Sequence, residues 1–263
     1  MSDIQELRPK TKIKRSEWSD DYKRIDEAAD KVFCHFKGSI PNVRVLCFFD
    51  DVDREEFKKK FGQDNKGFMC KLRQPESEPL PDFPDYLLKE VLILGPKRTP
   101  AIDYLIYLHG TTCLNDFDLT MTLAHELQHV IQSHNTPKLF ALNEIATRVG
   151  AKRTELGWCD IPIEFEARLR AKRTVEVIFG TEAVSLHIDS RIQASTDDDQ
   201  RDWECIKEID TAAPFDLRMA TATFFEVYKL PCRAEFDELQ IAKDPDFVDL
   251  NFDSLVKELG IVI

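Results

Sequence analysis

One short run in the chain has residue types and a spacing that can do chemistry, the pentapeptide His125-Glu126-Leu127-Gln128-His129. Two histidines four residues apart lie on one face of a helix, with their Cβ atoms about 5–6 Å apart. Imidazoles at that separation can bind one zinc ion, and the adjacent glutamate can accept a proton from a water beside it. The run therefore predicts His125 and His129 as metal ligands and Glu126 as the catalytic general base.

The residues around this run are typical of a helix that follows a small sheet. Asn115 and Asp116 can accept hydrogen bonds at a helix N-terminus. Apolar residues then recur at helical spacing until about Asn135, and Pro137 closes the helix. The preceding segments 90–94 and 103–109 have the composition of strands. We therefore expect the two histidines on a helix that packs beside strands.

A catalytic zinc usually has three protein ligands and one open position for water, so the two histidines need a partner. His134 lies nine residues after His125, one residue before the place that the extended pattern HExxHxxGxxH requires. Its position at the end of the helix favours a surface histidine. The third ligand is therefore expected from another part of the chain.

Glu164 is the preferred candidate for the third ligand. Pro162 suits the first turn of a helix and Gly180 suits its end. Glu164 and Ala167 share a face of that helix, so the carboxylate can point at a metal while the small alanine lets two helices approach. Glu166 points elsewhere and is the alternative ligand. Both glutamates could instead only complement the positive N-terminus of the helix.

Cys113 is a further candidate, twelve residues before His125. A thiolate there could occupy the open position on zinc and hold the protein inactive until oxidation or displacement. The alternative is a small buried cysteine that only packs.

The histidine pair, followed 35 residues later by a Glu-x-x-Ala helix at Glu164, resembles the gluzincin branch of zinc metallopeptidases. The spacing is similar to that of small intracellular repressor-cleaving (ImmA-like) peptidases, some from phage-defence operons and some with an inhibitory cysteine. The resemblance covers roughly residues 88–175. It implies a zincin-like core, Zn²⁺ as cofactor, an antiviral defence role, His125, His129 and Glu164 as ligands, and Glu126 as base. After Ala167 the chain departs from the family, which often has a Phe-Ala pair there.

The length of 263 residues and a hydrophobic content of 43% predict one large domain, or a core domain with a smaller addition. The mixture of strand and helix patterns predicts an α+β fold. We expect a flexible basic arm at 1–15, a zincin-like metallopeptidase domain at 16–180 and a mostly helical extension at 181–263. Residues 181–212 show no clear pattern, and an apolar helix at 215–230 followed by two short helices is predicted. Other helices are expected at 16–37, 51–61 and 138–153, and strands at 43–49 and 67–73.

Composition also bounds the compartment and the partners. Seven cysteines without a CxxC pair argue against a disulfide framework and for a reduced, cytoplasmic setting. No apolar run is long enough to span a membrane, and the N-terminus lacks the core of a signal peptide. A net charge of −12 disfavours nucleic acid as the main ligand. The basic run 168–173 is expected to be a solvated helix face.

The sequence thus predicts a zinc metalloendopeptidase that hydrolyses peptide bonds in a specific protein partner, for example a repressor. Tyr104, Tyr107 or His109 could donate to the oxyanion, and the strand at 103–109 could pair with an extended substrate. Two alternatives stay open. One is a regulatory or scaffold protein whose zinc site is structural or inhibited, and the other is an injected or secreted effector peptidase.

Overall fold

The computed structural model describes residues 21–39, 43, 45–49, 53–61, 66–72, 103–153, 155–244 and 246–260. The predicted arm at 1–15 and the predicted strand at 90–94 lie outside these residues. The chain divides into two compact units, Met1–Val130 and Ile131–Ile263. The predicted domain boundary after residue 180 stays a prediction.

The first unit contains a small sheet and the helices that adjoin it in sequence. Its elements are, in order, α1 (Asp21–His35), β1 (Val45–Phe49), α2 (Arg54–Phe61), β2 (Gly67–Lys71), β3 (Tyr104–Leu108), α3 (Gly110–Cys113) and α4 (Asp116–Asn135). The division between the two units falls within α4, so this helix runs from the first unit into the second.

The three strands form a mixed sheet in the order β1-β3-β2. β3 pairs in parallel with β1, where Val45 faces Tyr104, and antiparallel with β2, where Gly67 faces Leu108. A Cβ atom at Gly67 would lie 2.5 Å from the carbonyl oxygen of Tyr107, so only glycine fits this close approach. Since β3 is hydrogen-bonded on both sides, the prediction that it pairs with a substrate is wrong.

An aromatic cluster packs on this sheet. The ring of Tyr107 stacks against Phe48, Phe57 and Phe68 at centroid distances of 5.8, 5.5 and 5.2 Å. Tyr107 and Phe57 are fully buried. Each such ring pair contributes about 0.5–1.5 kcal/mol beyond the area it buries, so the cluster fixes α2 against β2 and β3.

All the described secondary structure of the second unit is helical. Its elements after α4 are α5 (Pro137–Ala151), a 3₁₀ turn (Trp158–Asp160), α6 (Pro162–Phe179), α7 (Thr181–Ala194), α8 (Asp197–Glu208), α9 (Leu217–Ile241) and α10 (Phe252–Glu258). Apolar side chains of α5, α9 and α10 form its core, among them Leu142, Ile145, Phe225, Phe236 and Phe252.

The ends of two helices follow from proline and glycine. α6 begins with Pro162 at its first turn and ends before Gly180, which has a φ of +89° that side-chain-bearing residues rarely adopt. α9 extends beyond the predicted helix at 215–230. The chain kinks at Tyr228, ahead of Pro231, and is helical again after the kink. One of the two short helices predicted to follow is therefore the second half of α9.

The described residues establish an α+β protein that is mostly helical with a small three-stranded sheet, as predicted. None of the helices in these ranges combines the length and the apolar character needed to cross a membrane.

Cys159, in the 3₁₀ turn, and Cys205, in α8, form a disulfide with their Cα atoms 6.5 Å apart. The argument against disulfides from the odd number of cysteines is wrong for this pair. The five remaining cysteines are not disulfide-bonded, so no larger disulfide framework forms. The disulfide joins α8 to the turn that precedes α6.

Candidate metal centre

The N-terminus of α4 is held by a cap and by an arginine from α1. The side-chain oxygen of Asn115 accepts hydrogen bonds from the backbone N–H groups of Phe117 (2.8 Å) and Asp118 (3.3 Å), as the sequence predicts. Arg24 pairs with Asp116 and donates to the carbonyl oxygen of Cys113. These contacts fix the start of the helix that carries both histidines.

His125 and His129 lie one turn apart on α4 with their Nε2 atoms 3.0 Å apart. Their rings are nearly perpendicular, at 88°, and their centroids are 4.6 Å apart. A tetrahedral zinc with bonds of 2.0–2.1 Å holds two nitrogen ligands about 3.3 Å apart. The observed spacing is close to that value, so the two imidazoles fit a shared ion. Glu126 follows His125 directly in the chain and is buried, with 6% of its surface exposed.

Glu164 joins the two histidines. One ligand atom from each of His125, His129 and Glu164 lies within 4.8 Å of the other two, and the described residues contain no other such group of three. Glu164 occupies the first turn of α6, where Pro162 starts the helix. Two neutral imidazoles and one carboxylate are a donor set that catalytic zinc uses, so these residues fit the ion that the sequence implies.

The first turn of α6 is tied to the last turns of α4 by Gln132. Its side-chain amide donates to the carbonyl oxygen of Ile163 (3.2 Å) and to Oε2 of Glu166 (2.7 Å). The alternative ligand Glu166 thus binds Gln132 and is not in the three-residue group. Ala167 is fully buried.

The other candidate ligands lie elsewhere. His134 is exposed in the last turn of α4, in agreement with the interpretation of a surface histidine. Cys113 is buried at the end of α3, and its sulfur is not part of the three-residue group. Its inhibitory role stays a prediction.

The side chains proposed for the oxyanion have packing contacts. Tyr107 belongs to the aromatic cluster of the sheet. His109 caps α3, where its ring nitrogen accepts from the backbone N–H of Thr112 at 3.4 Å, and it packs 5.1 Å from the ring of Phe57. A role of either residue as a donor to substrate stays a prediction.

Arg168 is a residue that the sequence interpretation missed. Its Nη1 donates to Oε2 of Glu164 at 3.2 Å, one helical turn earlier. Its Nε and Nη2 donate to Oδ1 of Asp202 on α8 at 3.0 and 2.8 Å. The spacing of Glu164 and Arg168 was a readable signal, because residues four apart on a helix are neighbours.

Two further cations of the basic run, Lys172 and Arg173, contact the end of α8 and the chain just after it. Lys172 is buried and donates to the carbonyl oxygens of Lys207 (2.8 Å) and Ile209 (2.7 Å) at the end of α8. Arg173 donates to backbone carbonyls at 211 and 213. The prediction that the basic run is a solvated face is therefore wrong.

Burial lowers the pKa of Lys172 from its usual 10.5, although three acidic side chains oppose the shift, those of Glu176, Glu208 and Asp210. The ammonium group still suits its position, since a cation beside the last carbonyls of a helix is favoured by the helix dipole. Lys172 thus caps the C-terminus of α8.

No protein-family model, no curated protein and no solved structure matches this chain. A function for it therefore has to be argued from its own residues.

Proposed function

We propose that this chain is a zincin-like zinc metallopeptidase in which His125, His129 and Glu164 bind one Zn²⁺ and Glu126 is the general base. The observation that carries the proposal is the distance of at most 4.8 Å between the ligand atoms of the three residues. Glu164 is 35 residues from His129 in the chain, so local sequence does not explain this convergence.

The donor set supports zinc over the harder cations. Calcium and magnesium prefer all-oxygen sites, whereas imidazole nitrogen suits zinc. Three protein ligands leave one position of a tetrahedral ion for water or substrate. Bound there, zinc would act as a Lewis acid that makes water a nucleophile near neutral pH and polarises a carbonyl group.

The protein's own part of the chemistry is proton transfer and positioning. Glu126 takes a proton from the attacking water and delivers it to the leaving amine. A positioned base of this kind contributes about 10²–10⁴-fold to the rate. Gln132 helps to hold Glu164 in place, because it fixes the first turn of α6 to α4.

A peptide bond in a protein is the substrate that this proposal favours. This choice of substrate rests on the resemblance of the two short motifs to repressor-cleaving peptidases. The substrate is best sought by an unbiased cleavage profile, in which the purified protein and its Glu126→Gln variant are compared on the same peptide mixture.

The test combines metal content with this profile. We expect about one zinc per chain, from a single three-ligand set, in both the wild-type protein and Glu126→Gln. The variant should lose at least about 100-fold in cleavage rate. Glu182→Gln, an exposed glutamate of α7, is the matched control and should cleave like the wild type.

Two results would contradict the proposal. Normal cleavage by Glu126→Gln would exclude the assigned base. Wild-type protein without bound zinc would exclude the ligand set. Zinc with four protein ligands and no cleavage of any peptide would favour the alternative of a regulatory protein with a structural zinc.

A further inference from the structure

We propose that Arg168, anchored by Asp202, is a positioning residue that fixes the carboxylate of Glu164 for metal binding. This inference rests on the proposed zinc site, and it adds α8 to the parts of the protein that the site needs.

The geometry of Arg168 carries the argument. Nη1 contacts Glu164 at 3.2 Å, and Nε and Nη2 contact Asp202 at 3.0 and 2.8 Å, so one guanidinium group spans two carboxylates. The side chain of Arg168 is 11% exposed and that of Glu164 is 15% exposed. A planar fork held on both sides has little freedom to rotate, and Glu164 therefore loses rotational freedom as well.

This arrangement differs from an ordinary surface ion pair. Exposed pairs are screened by water and contribute about 0–1 kcal/mol. The contact between Arg168 and Glu164 is mostly withdrawn from water, and Asp202, at 26% exposed, holds the arginine from another helix. The interaction is therefore directional enough to set the orientation of a ligand.

Charge balance explains why the anchor is an acid. An arginine alone beside Glu164 would cancel the negative charge that attracts a divalent cation. Asp202 restores it, since Glu164, Arg168 and Asp202 together carry one net negative charge. A carboxylate has about four acceptor positions, so Glu164 can accept from Arg168 and bind a metal at the same time. The hydrogen-bonded partners of metal ligands typically contribute about 10–100-fold to metal affinity.

The test is the zinc dissociation constant of the full-length protein, measured by competition with a chromophoric chelator. We expect Arg168→Gln to bind zinc about 10–100-fold more weakly than the wild type. Arg168→Lys should also bind more weakly, because lysine keeps the charge but lacks the fork. Wild-type affinity in either variant would overturn the proposal.

Asp202→Asn tests the anchor separately and leaves the arginine in place. We expect it to weaken zinc binding about 10-fold, at the lower end of the range for such partners. If Asp202 acts through Arg168, the double variant should bind zinc no more weakly than Arg168→Gln alone. Additive losses in the double variant would overturn this linkage. Should both Arg168 variants fail to fold, Asp202→Asn alone decides, and wild-type affinity would then reject the proposal.

Lys207→Gln is the matched control, because Lys207 also lies on α8 and forms an ion pair with Asp189 at 2.9 Å. It should keep the wild-type zinc affinity, and the zinc-free Arg168 variants should melt within a few degrees of it. Glu164→Gln separates the two proposals. If wild-type protein binds zinc and Glu164→Gln does not, unchanged affinity in the Arg168 variants rejects only the positioning role. If wild-type protein binds no zinc, both proposals fail.

Discussion

The histidine pair of α4 and the basic run of α6 are both rows of polar side chains on well-buried helices, but different interactions hold them. His125 and His129 are brought together by the single helical turn between them. Arg168, Lys172 and Arg173 of α6 contact groups 34 to 40 residues further along the chain. The histidine spacing therefore depends on local helix geometry, whereas the basic run depends on α8 remaining in place.

The largest expected effect comes from changing the histidine pair, by the substitution His129→Ala. Alanine keeps α4 helical but removes one of three ligands. We expect a loss of zinc affinity well beyond the roughly 100-fold that an outer hydrogen-bond partner contributes, together with loss of peptide cleavage. Zinc titration of the purified protein measures it. His134→Ala, an exposed histidine of the same helix, should retain zinc, and equal losses in the two variants would contradict the assignment.

The next effect concerns the covalent link between α8 and the turn before α6. Replacing Cys159 and Cys205 by serine removes a cross-link between residues 46 apart. Chain entropy alone predicts a loss of about 4 kcal/mol in the free energy of unfolding. Urea unfolding of the double variant measures this value. A matched substitution of the exposed thiol, Cys34→Ser, should leave the unfolding midpoint unchanged.

A smaller effect is expected from Lys172→Met, which keeps much of the side-chain length and removes the ammonium group. The carbonyl oxygens of Lys207 and Ile209 would each lose a donor, at a cost of about 1–3 kcal/mol for buried acceptors left unpaired. Lys207→Met, at an exposed ion pair on α8, should lose less than about 1 kcal/mol. Equal losses of unfolding free energy in the two variants would show that the buried contact of Lys172 does not stabilise the protein.

The smallest effect is the pH dependence of this same contact. The pKa of Lys172 is lower in the folded protein than the usual 10.5, so at pH values between the two the unfolded chain binds more protons. The contribution of Lys172 to stability must then rise as the pH increases towards 10.5. Urea unfolding of the wild type and Lys172→Met at pH 8 and pH 10 should give a larger difference at pH 10. A difference that shrinks would contradict the lowered pKa.

Much of the fold could be predicted because its signals are local. The cap at Asn115 and the proline at 137 mark the two ends of α4, and Pro162 and Gly180 mark those of α6. Residues 181–212 gave no clear pattern because α7 buries few apolar side chains, chiefly Val184 and Ile188. A helix with so narrow an apolar stripe lacks the periodicity that predicts a helix.

The candidate site likewise has parts that local spacing predicts and parts that it does not. The two histidines are predictable from their spacing, and Glu164 from a second short motif. The disulfide and the contact of Arg168 with Asp202 are not predictable, because neither pair has a characteristic spacing in the chain. The prediction for the basic run is wrong for the same reason, since Asp202 is distant in the chain and the acceptors of Lys172 and Arg173 are backbone carbonyls, which every residue has.

Gly180 is the single residue between two consecutive helices of the second unit. Gly180 ends α6, and α7 starts at the next residue, so no linker absorbs a change at this point. A Cβ atom at Gly180 would meet no atom within 4 Å, so a side chain there is opposed by the backbone angle and not by crowding. The 14 residues of α7 make an arm about 21 Å long. A change in the backbone angles at Gly180 would therefore be carried along the whole length of α7.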